Sequence, residues 1–345
     1  MTEETGMKKV IVTGGGGFVG KAIVRQLRSR EIMVTVVGRN TYPDVLKLGA
    51  EVAVGDIRDR DFLVSACENA DTIFHVAARA GIWGSWEDYY SVNVTGTENV
   101  LAACRANRIG HLVYTSTPSV VFAGDDLCGV GEETPYAENF LCHYAHTKVL
   151  AEKMALAANS AELKTTALRP HLVWGPGDTN LIPRLVERGR KGQLKIVGDA
   201  ANMVDISYID NVASAHVLAA YNLHGDGRAA GHAYFISQGD PVNLWEWIND
   251  LYSRLGIVPV KKRIGFKKAY LAGTVLEKIY SWLKIKDEPR MTRFLAEQLA
   301  RSHWFSIQNA RDDFGYTPVV STETGMERLV KWVRESDCRP DNLEP

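Results

Sequence analysis

Val10-Ile-Val-Thr13 runs directly into Gly14-Gly-Gly-Gly-Phe-Val-Gly20, and the fold turns on how this junction is read. A short β-branched run of this kind suits a strand buried in a parallel sheet. An amphipathic run from Lys21 to Arg30 follows, so the order is strand, glycine turn, helix. Gly14, Gly17 and Gly20 carry the spacing Gly-x-x-Gly-x-x-Gly. Glycines at such a turn let the backbone bend sharply and approach a pyrophosphate, whose charge sits at the helix N-terminus. A glycine-rich turn by itself also serves as a plain connection. Between this strand and this helix it points to a dinucleotide, with Gly14, Gly17, Phe18, Val19 and Gly20 facing it.

Regular β/α alternation continues outward from that turn. The next strand, Ile32-Met-Val-Thr-Val-Val37, ends in Gly38-Arg39-Asn40. An acidic side chain there would hold the ribose 2′-hydroxyl of NAD. Gly38 stands in its place, and Arg39 offers a cation for a 2′-phosphate, which favours NADP(H) over NAD(H). Glu51-Val-Ala-Val-Gly55 leads to Asp56-Ile57, placed to meet an adenine, although Asp56 is equally placed to cap the next helix. Thr72-Ile-Phe-His-Val76 ends in Ala77-Ala78, small enough to admit a cofactor, and its His75 reads as a packed strand residue. A helix from about Trp86 to Asn107 carries Asn93, which is suited either to bridging loops beside the site or to a helix surface.

The chemistry concentrates further on. His111-Leu-Val-Tyr114 opens into Thr115-Ser-Thr-Pro-Ser119 at a strand's carboxyl end, where open α/β sheets bind ligands. Thr117, with Ser116 as its alternative, is the hydroxyl suited to a substrate carbonyl oxygen. In His143-Tyr-Ala-His-Thr-Lys-Val-Leu-Ala-Glu-Lys153 the content predicts a helix, so Tyr144 and Lys148 share a face. A fixed positive charge nearby is expected to lower the phenol's pKa from about 10 towards the working range.

Composition sets the surroundings. The 345 residues are 46% hydrophobic and 23% charged with a formal net charge of −1, an ordinary soluble chain with no bias towards nucleic acid. Five scattered cysteines (Cys67, Cys104, Cys128, Cys142, Cys338) without a Cys-x-x-Cys pair suggest reduced thiols and no metal site. The N-terminus lacks the apolar run of a signal peptide, and no apolar stretch is long enough for a bilayer. The expectation is a cytoplasmic protein.

The second half is less regular and richer in aromatics. Residues 1–170 read as the nucleotide-binding domain, with some later segments returning to it, 171–337 as the substrate-binding region, and Cys338–Pro345 as a frayed tail. Pro170 and the turn-rich loop through Asp178 should border the nicotinamide. Asp210 is a candidate helix cap. Phe266–Lys284 places Leu271, Val275, Leu276, Ile279 and Leu283 along one side of an amphipathic helix.

Together, the glycine turn, Asn93-Val-Thr-Gly-Thr97, Thr115-Ser-Thr117, Tyr144/Lys148 and Arg169-Pro170 resemble the extended short-chain dehydrogenase/reductases over nearly the whole chain. The resemblance implies a Rossmann-type doubly wound parallel sheet with a smaller, mainly helical C-terminal substrate domain. It also implies Tyr144 as acid/base, Lys148 holding the nicotinamide ribose and Thr117 polarising the substrate oxygen. Thr117-Pro-Ser119 stands where the family's dehydratases carry Thr-Asp-Glu, and Val204-Asp205-Ile206 lacks the Arg that clamps a sugar-nucleotide diphosphate. What remains is similar to the 3β-hydroxysteroid dehydrogenase branch.

Within that branch, Ala80-Gly-Ile-Trp-Gly-Ser-Trp86, Val113–Val120, Val173–Asp178 and Arg293–Leu299 resemble bacterial olefin-biosynthesis reductases of 2-alkyl-3-oxoalkanoic acids. Trp83, Trp86 and Trp174 are then pocket candidates, with Arg184 or His171 for the carboxylate. A homodimer and a β-lactone synthetase partner are inherited expectations. An NAD(P)-dependent sterol or steroid 3β-dehydrogenase is the alternative reading, and a non-catalytic NADP-sensing regulator a distant one.

Overall fold

Seven parallel strands form the central sheet: β1 (Lys9–Thr13), β2 (Met33–Gly38), β3 (Glu51–Val54), β4 (Thr72–His75), β5 (His111–Thr115), Lys164–Pro170 and Ala233–Ile236. The structure, a computed structural model, describes residues 6–337, so the tail from Cys338 lies outside the described residues. Across the sheet the order is Ala233–Ile236, Lys164–Pro170, β5, β4, β1, β2, β3. Each neighbouring pair is parallel. Val10, Ile11 and Val12 are wholly buried because helices cover both faces, which is why the run is continuously apolar. From β1 the chain builds outward one way through β2 and β3, then returns to build the other way through β4 and β5. The crevice at that reversal, outside the carboxyl ends of β1 and β4, is where this topology binds ligands.

Helix α1 (Phe18–Arg28) buries Ala22, Ile23, Val24 and Leu27. It packs against the helix Ile209–His224, and Gln26 donates to the Asp210 carbonyl at 2.8 Å. A helix from the second half therefore covers the nucleotide-binding sheet. The rest of that half is mainly helical (Leu244–Leu255, Phe266–Trp282, Arg293–Ala300, Gln308–Phe314, Thr322–Asp337) beside a small four-stranded sheet.

Local expectations change in four places. The helix expected over Trp86–Asn107 is three pieces: Trp86–Tyr90, a π-helical turn Ser91–Thr95 and Gly96–Asn107. Asp59, not Asp56, caps the helix Arg60–Ala66 by accepting from the Phe62 N–H. Asp210 is not a cap; it sits in the first turn, pairing with Arg25 and Arg328, while Tyr208 holds the N-cap position without a side-chain bond. Finally, the apolar side of Phe266–Trp282 faces outward. The helix docks instead by Ala269 and Gly273, where an added Cβ on Gly273 would lie 2.6 Å from the Thr292 carbonyl carbon.

The helix His143–Ala157 is tied to the sheet by a buried ion pair. Arg169 on the strand Lys164–Pro170 donates Nε to both Glu152 oxygens (3.2 and 3.1 Å) and NH2 to one of them at 2.5 Å. The Tyr136 hydroxyl donates to the same carboxylate at 2.8 Å, and the guanidinium lies against the Phe235 ring. Removing one partner of such a pair strands a charge in the interior. Glu152→Gln is expected to lower unfolding free energy by about 3–5 kcal/mol in urea titration. A loss no larger than that of an exposed substitution would mean that water reaches the pair.

Candidate active site

A groove of about 530 Å³ runs over the carboxyl ends of the strands. Gly14, Gly17, Phe18, Val19, Gly20, Arg39, Asp56, Ile57, Ala77, Ala78, Ser116, Thr117, Tyr144, Lys148 and Pro170 all line it. Two glycines are compelled by packing. Gly14 has φ +69°, and a Cβ there would lie 2.8 Å from the Ala77 backbone; one on Gly20 would strike the Gly14 carbonyl. Gly17 caps α1 without a side-chain bond, and no acid occupies the first turn. Its Cβ position is nearly open, meeting only the Gly14 carbonyl oxygen at 3.3 Å. The result is an uncapped helix N-terminus opening on a groove, which fits a pyrophosphate. Ser116 adds a second fit, since its buried Oγ has no protein partner and the residue lines the same groove.

At the far end, Arg39 is exposed beside Gly38. A Cβ on Gly38 would lie 2.6 Å from the Tyr42 ring. That close ring explains the glycine, and Tyr42, a lining residue the sequence reading missed, gives no recognisable signal in sequence. Asp56 is less free than expected. Arg58 clasps it through Nε (3.0 Å) and NH2 (2.6 Å), a hydrogen-bonded charge that holds the carboxyl below its usual pKa. A free carboxylate for the adenine edge is thus replaced by an ion pair.

The reactive end is set by the helix His143–Ala157. Lys148 is buried, donates to the Thr115 carbonyl at 2.6 Å and lies 4.1 Å from the Tyr114 ring centre. Burial lowers its pKa to about 7, with Glu152 opposing. Tyr144 moves the other way: burial pushes it up to about 12, against a side-chain hydrogen bond with Thr117. The lowering expected from Lys148 is absent, because the ammonium is drawn to the Thr115 carbonyl and the Tyr114 face. The protein's own groups therefore leave Tyr144 protonated and able to donate.

Asn93, inside the π turn, is buried and does bridge two elements. Its Oδ1 accepts from the Arg79 N–H at 2.7 Å, and its Nδ2 donates to the Arg79 carbonyl at 3.2 Å and to Thr147 Oγ1 at 3.0 Å. It joins the loop after β4 to the Tyr144 helix without itself lining the groove. His75 is packed between the Thr13 and Thr97 hydroxyls (2.7 and 3.0 Å), and burial lowers its pKa to about 3.

A second cavity, of about 1170 Å³, adjoins the groove. Trp83, Trp86, Tyr89, Phe140, Cys142 and Tyr280 are among its walls. Trp83 donates to the Ile285 carbonyl at 3.1 Å and meets Tyr280 edge-on. Three expected pocket residues are elsewhere. Trp174 is wholly buried, packed 5.2 Å from both Tyr208 and Trp247, because its ring fills core. His171 is buried against His303 at 2.6 Å, and burial holds its pKa well below the ordinary value, so it offers no cation. Arg184 pairs with Glu288 at 2.9 Å and lines neither space. Arg79, unremarked in the sequence, lines both. Its guanidinium lies 5.2 Å from the Tyr89 ring centre and 3.5 Å from Asp88.

The fold and this groove are those of an NAD(P)-dependent oxidoreductase. The chain belongs to the 3-beta hydroxysteroid dehydrogenase/isomerase family, whose model matches residues 11–267. It is 49% identical to a 2-alkyl-3-oxoalkanoate reductase of Stenotrophomonas maltophilia, over 93% of this chain and 98% of that one. It is 32% identical to the mouse sterol-4-alpha-carboxylate 3-dehydrogenase, decarboxylating, over 94% and 90% of the two chains. Among solved structures, MoeE5 in complex with UDP-glucose and NAD superposes with a TM-score of 0.72 at 26% identity, covering 95% of this chain and 99% of that one.

Lys148 makes a linkage prediction. Its pKa falls from 10.5 to about 7 on folding, so between those values the unfolded chain holds a proton that the folded one lacks. Stability gained from this group therefore rises with pH through that window, at up to about 1.4 kcal/mol per pH unit. Subtracting the pH–stability curve of Lys148→Met from that of the wild type should leave this rise. A flat difference would place the ammonium in solvent.

Proposed function

We propose that the protein reduces the 3-oxo group of long-chain 2-alkyl-3-oxoalkanoic acids with NADPH, giving 2-alkyl-3-hydroxyalkanoic acids for long-chain olefin biosynthesis. The observation that carries this reading is the meeting of Tyr144, Thr117 and Lys148 at one end of the groove, beside an aromatic-walled cavity large enough for alkyl chains. The 49% identity to a reductase of that name supports the substrate class. Arg39 and the missing acid at Gly38 support NADPH.

The cofactor, when bound, supplies the hydride to the oxo carbon. Tyr144 Oη delivers the proton to the oxygen as it gains charge, and Thr117 hydrogen-bonds the same oxygen. Lys148 anchors the nicotinamide ribose from its fixed seat on the Thr115 carbonyl. Arg79 holds the substrate carboxylate, since it alone among the arginines of the described residues walls both the groove and the cavity.

The test is NADP⁺-dependent oxidation of a long-chain 2-alkyl-3-hydroxyalkanoic acid, with NAD⁺ and a 3β-hydroxysterol in parallel. Turnover of the hydroxy acid with NADP⁺ is expected, falling at least about a hundredfold in Tyr144→Phe. Turnover of the sterol alone would overturn the substrate, and near-normal turnover in Tyr144→Phe would remove that residue from the chemistry. Arg79→Gln should raise KM for the hydroxy acid by about tenfold or more while sparing its methyl ester. An equal rise for acid and ester would leave Arg79 a structural role only.

A further inference from the structure

The helix Phe266–Trp282 is laid in the fold with its apolar side outward. Leu271, Val275 and Ile279 recur at helical spacing and are 64%, 47% and 43% exposed, and Trp282 at the end of the stripe is 82% exposed. The small face, Ala269 and Gly273, makes the packing contact. Solvent-side charge is of one sign. Residues 266–286 contain five lysines and one acid, Glu277, in a chain whose formal net charge is −1. Glu277 is turned inward onto Arg293 at 2.6 Å, whereas Lys267, Lys268, Lys278, Lys284 and Lys286 are all exposed.

We propose that this helix lies on an anionic lipid surface, its Leu271–Val275–Ile279–Trp282 stripe entering the headgroup boundary and its lysines meeting lipid phosphates. An exposed apolar stripe ending in Trp and accompanied by Lys is the pattern of a helix that rests in a membrane interface. A second protein fits the surface less well. Lys268 stands three residues before Leu271, on the stripe itself, and lysine is depleted from dry protein interfaces. At a lipid surface its stem follows the apolar side while the ammonium reaches the headgroups. No helix among the described residues is long and apolar enough to cross a membrane, so the contact is peripheral. The same helix walls the large cavity through Glu277, Lys278, Tyr280, Ser281 and Trp282, the last 82% exposed where that wall meets solvent. A surface-bound lipid thus has a short path to the cavity.

The experiment is sedimentation of the full chain with vesicles of equimolar phosphatidylcholine and phosphatidylglycerol, against pure phosphatidylcholine, at low and high salt. Binding to the anionic vesicles is expected, weakened by salt, and at least about tenfold weaker in Leu271→Ser/Val275→Ser/Ile279→Ser and in Lys267→Glu/Lys268→Glu. Both variants alter exposed side chains outside the groove and cavity walls, so an unchanged unfolding midpoint shows that they fold. Failure to sediment with anionic vesicles, or equal binding by wild type and variants, overturns the proposal. So does concentration-dependent dimerisation that the serine variant abolishes in the absence of vesicle binding, which would give the stripe to a second copy.

Discussion

Everything at the reactive end hangs from the buried pair of Glu152 and Arg169. The helix His143–Ala157 carries Tyr144, Thr147, Lys148 and Glu152, and the last is bound to the sheet by a buried ion pair. With Glu152 held by a strand residue, the positions one and two turns earlier are fixed against the strand ends. Lys148 then reaches the Thr115 carbonyl, and Tyr144 meets Thr117. Thr147, on the same helix, is pinned by Asn93, which also holds the loop bearing Arg79. A single ion pair and a single amide thus set three elements in one register, and the desolvation cost of the pair is offset by its bidentate bonds and by Tyr136.

Burial governs the site's protons more than the Tyr–Lys pairing does. Both groups are driven towards their neutral forms, the phenol upward and the ammonium downward, because burial disfavours each charged form, Lys148 being buried and Tyr144 half-buried on the groove wall. Glu152, one turn below Lys148, opposes its loss of charge, so the pair that positions the helix also supports the ammonium. A protonated Tyr144 is the state needed to reduce a carbonyl; the reverse direction needs further positive charge near the phenol.

The likeness to a nucleotide-sugar enzyme extends over 95% of the chain. Where such enzymes carry a cation for a diphosphate, this chain has Val204, wholly buried, and the next residue is Asp205, buried and accepting from the Phe305 N–H at 2.7 Å. Burial raises that carboxyl to about 7. Both positions are structural here, and the cavity beside the groove is walled instead by Trp83, Trp86, Tyr280 and Arg79.

The amino-acid sequence by itself determined what is local. β-Branched runs ending in glycine turns mark the parallel strands, and the i, i+4 spacing of Tyr144 and Lys148 marks a shared helix face, because both follow from backbone geometry over a few residues. Tertiary structure alone decided which side chains meet across the chain. Trp174, His171 and Arg184 look like pocket residues in sequence, yet each is claimed by a distant neighbour: Trp247, His303 or Glu288. Arg79 acquires its place only when the loop after β4 is drawn to the Tyr144 helix. The apolar side of Phe266–Trp282 would be assigned to the core by its spacing. Its outward direction is set by how closely Gly273 can approach the Thr292 backbone, a contact between segments that no periodicity records.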